Sequence, residues 1–98
     1  MNPRGTMKVN VHYTTQIKAA IDLAIEEVSL AEGATLADLV DQLIRQHGQP
    51  LRQLLLTEQD TLLPSIMLCV GDEQVDFGRL EPLCDGDQIT LLSAISGG

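Results

Sequence analysis

The residues best placed for covalent chemistry in this 98-residue sequence are its last two, Gly97 and Gly98. A glycine has no Cβ, so a chain ending in glycines can thread a narrow channel and adopt backbone angles closed to other residues. The pair does not stand alone. It follows Asp85-Gly86-Asp87, a turn sequence, and then Gln88 to Ala94, which alternates in the manner of a strand. Termini ordinarily fray, and two glycines by themselves are a weak signal. A turn, an apolar strand and then Ile95-Ser96-Gly97-Gly98 is a combination much less expected by chance. Four residues beyond Ala94 reach about 13–14 Å when extended, enough to carry a terminal carboxylate into a buried site of another protein.

The remaining chemical candidates are thinner. Cys69 and Cys84 form no CxxC pair, and neither has a Gly-rich or His-bearing flank. His12 and His47 lie far apart in sequence, which leaves too few ligands for a zinc site. Free thiols suit a cytoplasmic address, and neither a signal peptide nor an apolar run of about 18 residues is present. The net charge of −8 opposes binding to nucleic acid or an anionic membrane surface, and suits a partner with a basic face. Trp is absent, and Tyr13 and Phe77 are the sole aromatics, so there is no platform for stacking bases.

One domain is expected from the length. Residues 1–6 are polar and aperiodic and read as a disordered extension, residues 7–94 as the folded domain, and residues 95–98 as a flexible tail. Met7, Val9, Val11 and Tyr13 alternate with polar residues, giving a first strand. A short helical stretch falls between Thr14 and Ala24, and Ile25 to Leu30 returns as a second strand. Thr35 and Asp38 cap a helix over about 36–47, with Leu36, Leu39, Val40, Leu43 and Ile44 as its apolar stripe. Gly48 is expected at the left-handed C′ position, and Pro50 should block continuation. Leu51 to Leu56 suits a second short helix with Pro50 at its first position. Ile66 to Val70, Glu73 to Phe77 and Gln88 to Ala94 complete five strands. A sheet with the capped helix across one face, and the last strand beside the first, buries every apolar face in one core.

With those residues in view, the chain resembles the ubiquitin-like sulfur carriers, the family that includes the small subunit of molybdopterin synthase and the thiamine-pathway carrier. The resemblance covers about Met7 to Gly98. It rests on Asp85-Gly86-Asp87, the strand and terminal glycines that follow, Val70-Gly71-Asp72-Glu73-Gln74-Val75, and the helix capped at Thr35. Family members often carry Pro near the positions of Ser93 and Ala94, and this chain has none. The resemblance implies the α+β, ubiquitin-like β-grasp fold. It further implies a carrier and not an enzyme: Gly98, preceded by Gly97, is adenylated by an adenylyltransferase similar to the ubiquitin activators, which uses ATP while the carrier binds no cofactor. A sulfurtransferase then converts the adenylate to a thiocarboxylate, which donates sulfur to an acceptor.

The length from Met7 and the presence of an insertion favour the small subunit of molybdopterin synthase over the thiamine-pathway carrier, with the large subunit as acceptor, while the insertion, Gln49 to Pro64, also resembles carriers that serve cysteine synthesis. The alternatives are a carrier for cysteine or thiamine biosynthesis and a ubiquitin-like modifier. Partner enzymes should dock on the sheet face that the helix leaves open. Period-two register puts Ile66, Leu68, Val70, Ile89 and Leu91 under the helix, and so assigns Met67, Cys69, Leu92 and Ala94 to the open face, continued by Ile95 and Ser96. The insertion around Leu51 to Leu63 could instead fold back over that face.

Overall fold

The computed structural model describes residues 5–93. Eight elements follow one another: β1 (Thr6–Tyr13), α1 (Thr15–Ile21), β2 (Ile25–Ala31), α2 (Leu36–His47), α3 (Gln49–Leu55), β3 (Ile66–Val70), β4 (Glu73–Val75) and β5 (Gln88–Ser93). The strands make one sheet in the order β2-β1-β5-β3-β4. β1 and β5 run parallel side by side, as expected for the first and last strands, and the other neighbours are antiparallel.

The helix over 36–47 forms where its signals place it. The Thr35 hydroxyl accepts the Asp38 amide N–H at 3.4 Å, and the Asp38 carboxylate accepts the Thr35 amide N–H at 2.9 Å. Both orphan donors of the first turn are thereby satisfied. Asp38 at the start and Arg45 and His47 at the end also match the helix dipole. Leu36, Leu39, Val40 and Leu43 are buried, each burial being worth roughly 1.5–3 kcal/mol. Ile44, the fifth stripe residue, is only partly covered.

Two expectations are corrected. Gly48 has φ 78° and ψ −157°, so its φ is positive but its ψ is not that of the left-handed helical region. That backbone, open to glycine alone at low cost, swings the chain directly into α3 instead of ending in a left-handed cap. α2 ends at His47, ahead of Pro50, and Pro50 sits within the first two positions of α3, as expected for the second helix, where its missing N–H costs nothing. β4 ends at Val75, two residues short of Phe77, which leaves the ladder and packs against the edge of the core.

The insertion goes to the helix side. Leu51 and Leu55, four apart on α3, are fully buried in the same core as Leu68, Ile89 and Leu91. α3 packs on α1 and α2, and Ile17 brings α1 into that core. All three helices therefore share one face of the sheet, and the opposite face has no element over it among the described residues.

Leu43 is fully buried. Leu43→Ala should lower the unfolding free energy by about 2–5 kcal/mol, read from urea denaturation at unchanged m-value.

Candidate functional site

β5 runs through the middle of the sheet, and Asp85-Gly86-Asp87 sets its register. The Asp85 carboxylate accepts the Lys8 amide N–H at 2.8 Å, and the Gly86 N–H donates to the Lys8 carbonyl at 2.7 Å. Asn10 N–H then donates to the Asp87 carbonyl at 2.9 Å, while the Asp87 carboxylate accepts Cys84 N–H at 2.8 Å. Gly86 has φ 87°, a left-handed value that explains glycine between the two aspartates. The turn clasps the start of β5 to β1, and the parallel ladder runs from Asn10↔Gln88 to Tyr13↔Leu91.

The far end of that ladder is braced by a polar cluster that the sequence did not announce. Tyr13 is buried, and its hydroxyl donates to Glu26 Oε1 at 2.7 Å. His47 Nε2 lies 2.8 Å from the same oxygen, Gln46 reaches Oε2, and the Tyr13 and His47 rings meet edge to face. The last turn of α2 is thus tied to β2 and to the last residue of β1. Burial works to raise the pKa of Glu26, but the hydrogen bonds from Tyr13, His47 and Gln46, together with the charge of His47, outweigh it and hold the carboxyl below its ordinary value. Tyr13 is pushed upward by burial, with the Glu26 carboxylate adding to the effect.

The open face carries the residues expected there. Met67 pairs with Leu92, and Thr90 lies between Cys69 and His12 on its two neighbouring strands. Met67, Cys69 and Leu92 are each partly exposed, whereas Leu68 and Leu91 on the other face are buried. His12 Nε2 lies 2.6 Å from Gln88 Oε1 on the same face, and Ile25, 56% exposed, extends it toward the β2 edge. Ala94, Ile95, Ser96, Gly97 and Gly98 lie outside the described residues. Among the described residues no group of three or more His, Cys, Asp or Glu side chains is placed to hold a metal ion, and no helix is long and apolar enough to cross a membrane.

Residues 11–98 match the ThiS family. The chain belongs to that family of ubiquitin-like sulfur carriers. Its fold is the β-grasp seen in SAMP1 from Haloferax volcanii, which superposes with a TM-score of 0.84 at 21% identity, over 93% of this chain and 99% of that one. A Pyrococcus furiosus protein assigned as molybdopterin converting factor subunit 1 gives a TM-score of 0.73 at 22% identity, with 91% and 99% of the two chains covered. A chain of the Amycolatopsis orientalis BexX/CysO complex is 31% identical, over 92% of this chain and 99% of its own length, with a TM-score of 0.70. No curated protein sequence matches significantly. The relatives are small carrier or modifier proteins.

The depressed Glu26 carboxyl makes stability pH-dependent. The native pKa lies below the ordinary value of 4.5, so the ionised carboxylate stabilises the fold above that value, and its contribution is lost as pH falls through the native pKa. Glu26→Gln should lower the melting temperature at pH 7 and flatten the acid limb of the melting-temperature profile below about pH 4.5. An acid limb as steep as that of wild type would assign it to other carboxylates.

Proposed function

We propose that this protein is a sulfur carrier whose terminal Gly98 is adenylated and then converted to a thiocarboxylate. The observation that carries the reading is that the family match runs through residue 98 and so includes Gly97-Gly98, which follow in sequence after β5, the strand at the centre of the sheet. A carboxylate is a poor electrophile. An adenylyltransferase of the ubiquitin-activating type supplies ATP and turns it into an acyl-adenylate, with pyrophosphate released. The outer sulfur of a persulfide on a sulfurtransferase then attacks the acyl carbon and displaces AMP, and a thiol reductant cleaves the resulting acyl disulfide to leave the thiocarboxylate. The carrier itself holds no cofactor and contributes no acid–base group; the partner enzymes supply these in the cytoplasm.

Docking uses the open face. Met67, Cys69 and Leu92 give it apolar contacts of the kind that mark interaction sites, and Ala94, Ile95 and Ser96 lead from it to the glycines. The acidic charge of the chain complements a basic partner surface.

The acceptor toward which the sequence points is the large subunit of molybdopterin synthase, with this chain as the small subunit. The likeness to the Pyrococcus furiosus protein supports the shared fold. A second reading is favoured by a separate observation, the 31% identity to a chain of the BexX/CysO complex: the carrier would serve a different sulfur-accepting enzyme.

Co-expression with an adenylating enzyme and a sulfurtransferase should raise the intact mass by the difference between sulfur and oxygen, located in the peptide ending at Gly98. Sulfur on Cys69 or Cys84 instead would sink the reading. Sulfur transfer from the loaded protein to molybdopterin synthase large subunit, against transfer to a different acceptor, separates the two pathways.

Leu92→Glu should melt close to wild type yet block ATP–pyrophosphate exchange by the activating enzyme. Normal exchange by the folded variant would place docking elsewhere.

A further inference from the structure

Thr14 occupies the N-cap position of α1, with the extended backbone of a cap, φ −128° and ψ 161°. A threonine there ordinarily turns its hydroxyl oxygen back to accept a helix N–H. No such bond is made. Its Oγ1 donates to the main-chain carbonyl of Leu91, at 2.9 Å, across 77 residues of sequence. The next residue, Thr15, has φ 47°, a left-handed value that a β-branched residue seldom adopts. A helix start that forgoes its side-chain cap and carries a strained first residue is organised around something other than the helix. What it reaches is β5.

The position of that bond on β5 is specific. β1 stops at Tyr13, and its ladder with β5 closes at Tyr13↔Leu91. β5 continues to Ser93 with β3 alone beside it, through Met67↔Leu92 and Ile66↔Ser93. The Thr14 hydroxyl supplies one more rung on the β1 side, after β1 itself has turned away. Beyond Leu91 the β1–β5 ladder makes no further rung among the described residues, and α1 packs against β5 without pairing to it.

We propose that Thr14 is a positioning residue for the chemistry at Gly98: its hydroxyl closes the β1 flank of β5 at Leu91 and fixes the anchor from which the terminal segment starts. The proposal rests on the carrier function above and names a residue on which delivery depends. Docking is set by the open face, which Thr14 leaves untouched. The segment that ends in the terminal carboxylate starts from the anchor, and a misplacement of about 1 Å at a reacting centre can cost on the order of a hundredfold in rate. The rung therefore acts on kcat more than on KM.

The test uses the full chain with an adenylating enzyme of the ubiquitin-activating type, followed by ATP–pyrophosphate exchange, alongside amide hydrogen exchange of the carrier alone. Thr14→Val keeps the shape and removes the donor. It should lower kcat roughly tenfold to a hundredfold, leave KM within about twofold, and speed exchange at Leu91, Leu92 and Ser93. Thr14→Ser should restore both, and Thr14→Ala should behave as Val does should the valine variant fold poorly. Wild-type kcat in the folded valine or alanine variant overturns the role of Thr14 alone, since the wild type is adenylated in the same assay. A rise confined to KM, or failure of serine to rescue, also overturns it. A wild-type chain that no such enzyme adenylates overturns the carrier reading, and this proposal with it.

Discussion

The parallel pairing of β1 with β5 is the interaction on which the rest of the molecule depends. Parallel neighbours need a crossover of a dozen residues or more, and here the crossover is the whole intervening chain. β5 is thereby set between β1 and β3, with a partner on each side, not at an edge. Asp85 and Gly86 fix its start against Lys8, and the ladder fixes its middle. A chain that leaves the sheet from a central strand starts from the best-held backbone in the domain. A chain that leaves from an edge strand would start from the part of a sheet most prone to fray.

The second constraint is the one-sided distribution of helices. α1, α2 and α3 all bury apolar residues against the same face, with Ile17, Leu43, Leu51 and Leu55 in a common core. The segment able to screen the other face, the insertion after α2, is committed to that core through Leu51 and Leu55. The brace of Tyr13, Glu26 and His47 ties the last turn of α2 to the two strands at the β2 edge. Met67, Cys69 and Leu92 stay partly exposed because the helices have nowhere to reach them.

What could be read from the sequence was local. The capped helix was legible because Thr35 and Asp38 satisfy each other three residues apart and the stripe has one period. The turn at Gly86 was legible because left-handed backbone favours glycine. Alternation sorted Met67, Cys69 and Leu92 from Leu68 and Leu91, since parity alone decides which face a strand residue takes. The missed features are contacts between distant segments. Glu26 meets His47 21 residues away and Thr14 meets Leu91 77 residues away, and no period or spacing encodes either. Gly48 misled for a related reason. Glycine reports that φ is positive, but ψ is set by where the next helix must pack, and α3 had to bring Leu51 and Leu55 onto the core.

On the carrier reading, this architecture separates two kinds of interaction energy. Contacts made by the open face are the same before and during reaction, so they lower KM and leave kcat alone. Contacts that hold the end of β5 decide how often the terminal carboxylate sits where an activating enzyme can use it, and those act on kcat. The two sets come from different places: side chains of alternate residues on β3 and β5 for the first, the β1 flank of β5 for the second. A carrier that must visit an activating enzyme, a sulfur donor and an acceptor has reason to keep them apart. Each partner can read the face in its own way, while the anchor at Leu91 stays a property of the carrier. Glycines at the tip then complete the arrangement, because a rigid base supports delivery into a narrow site only when the last residues add no side-chain bulk of their own.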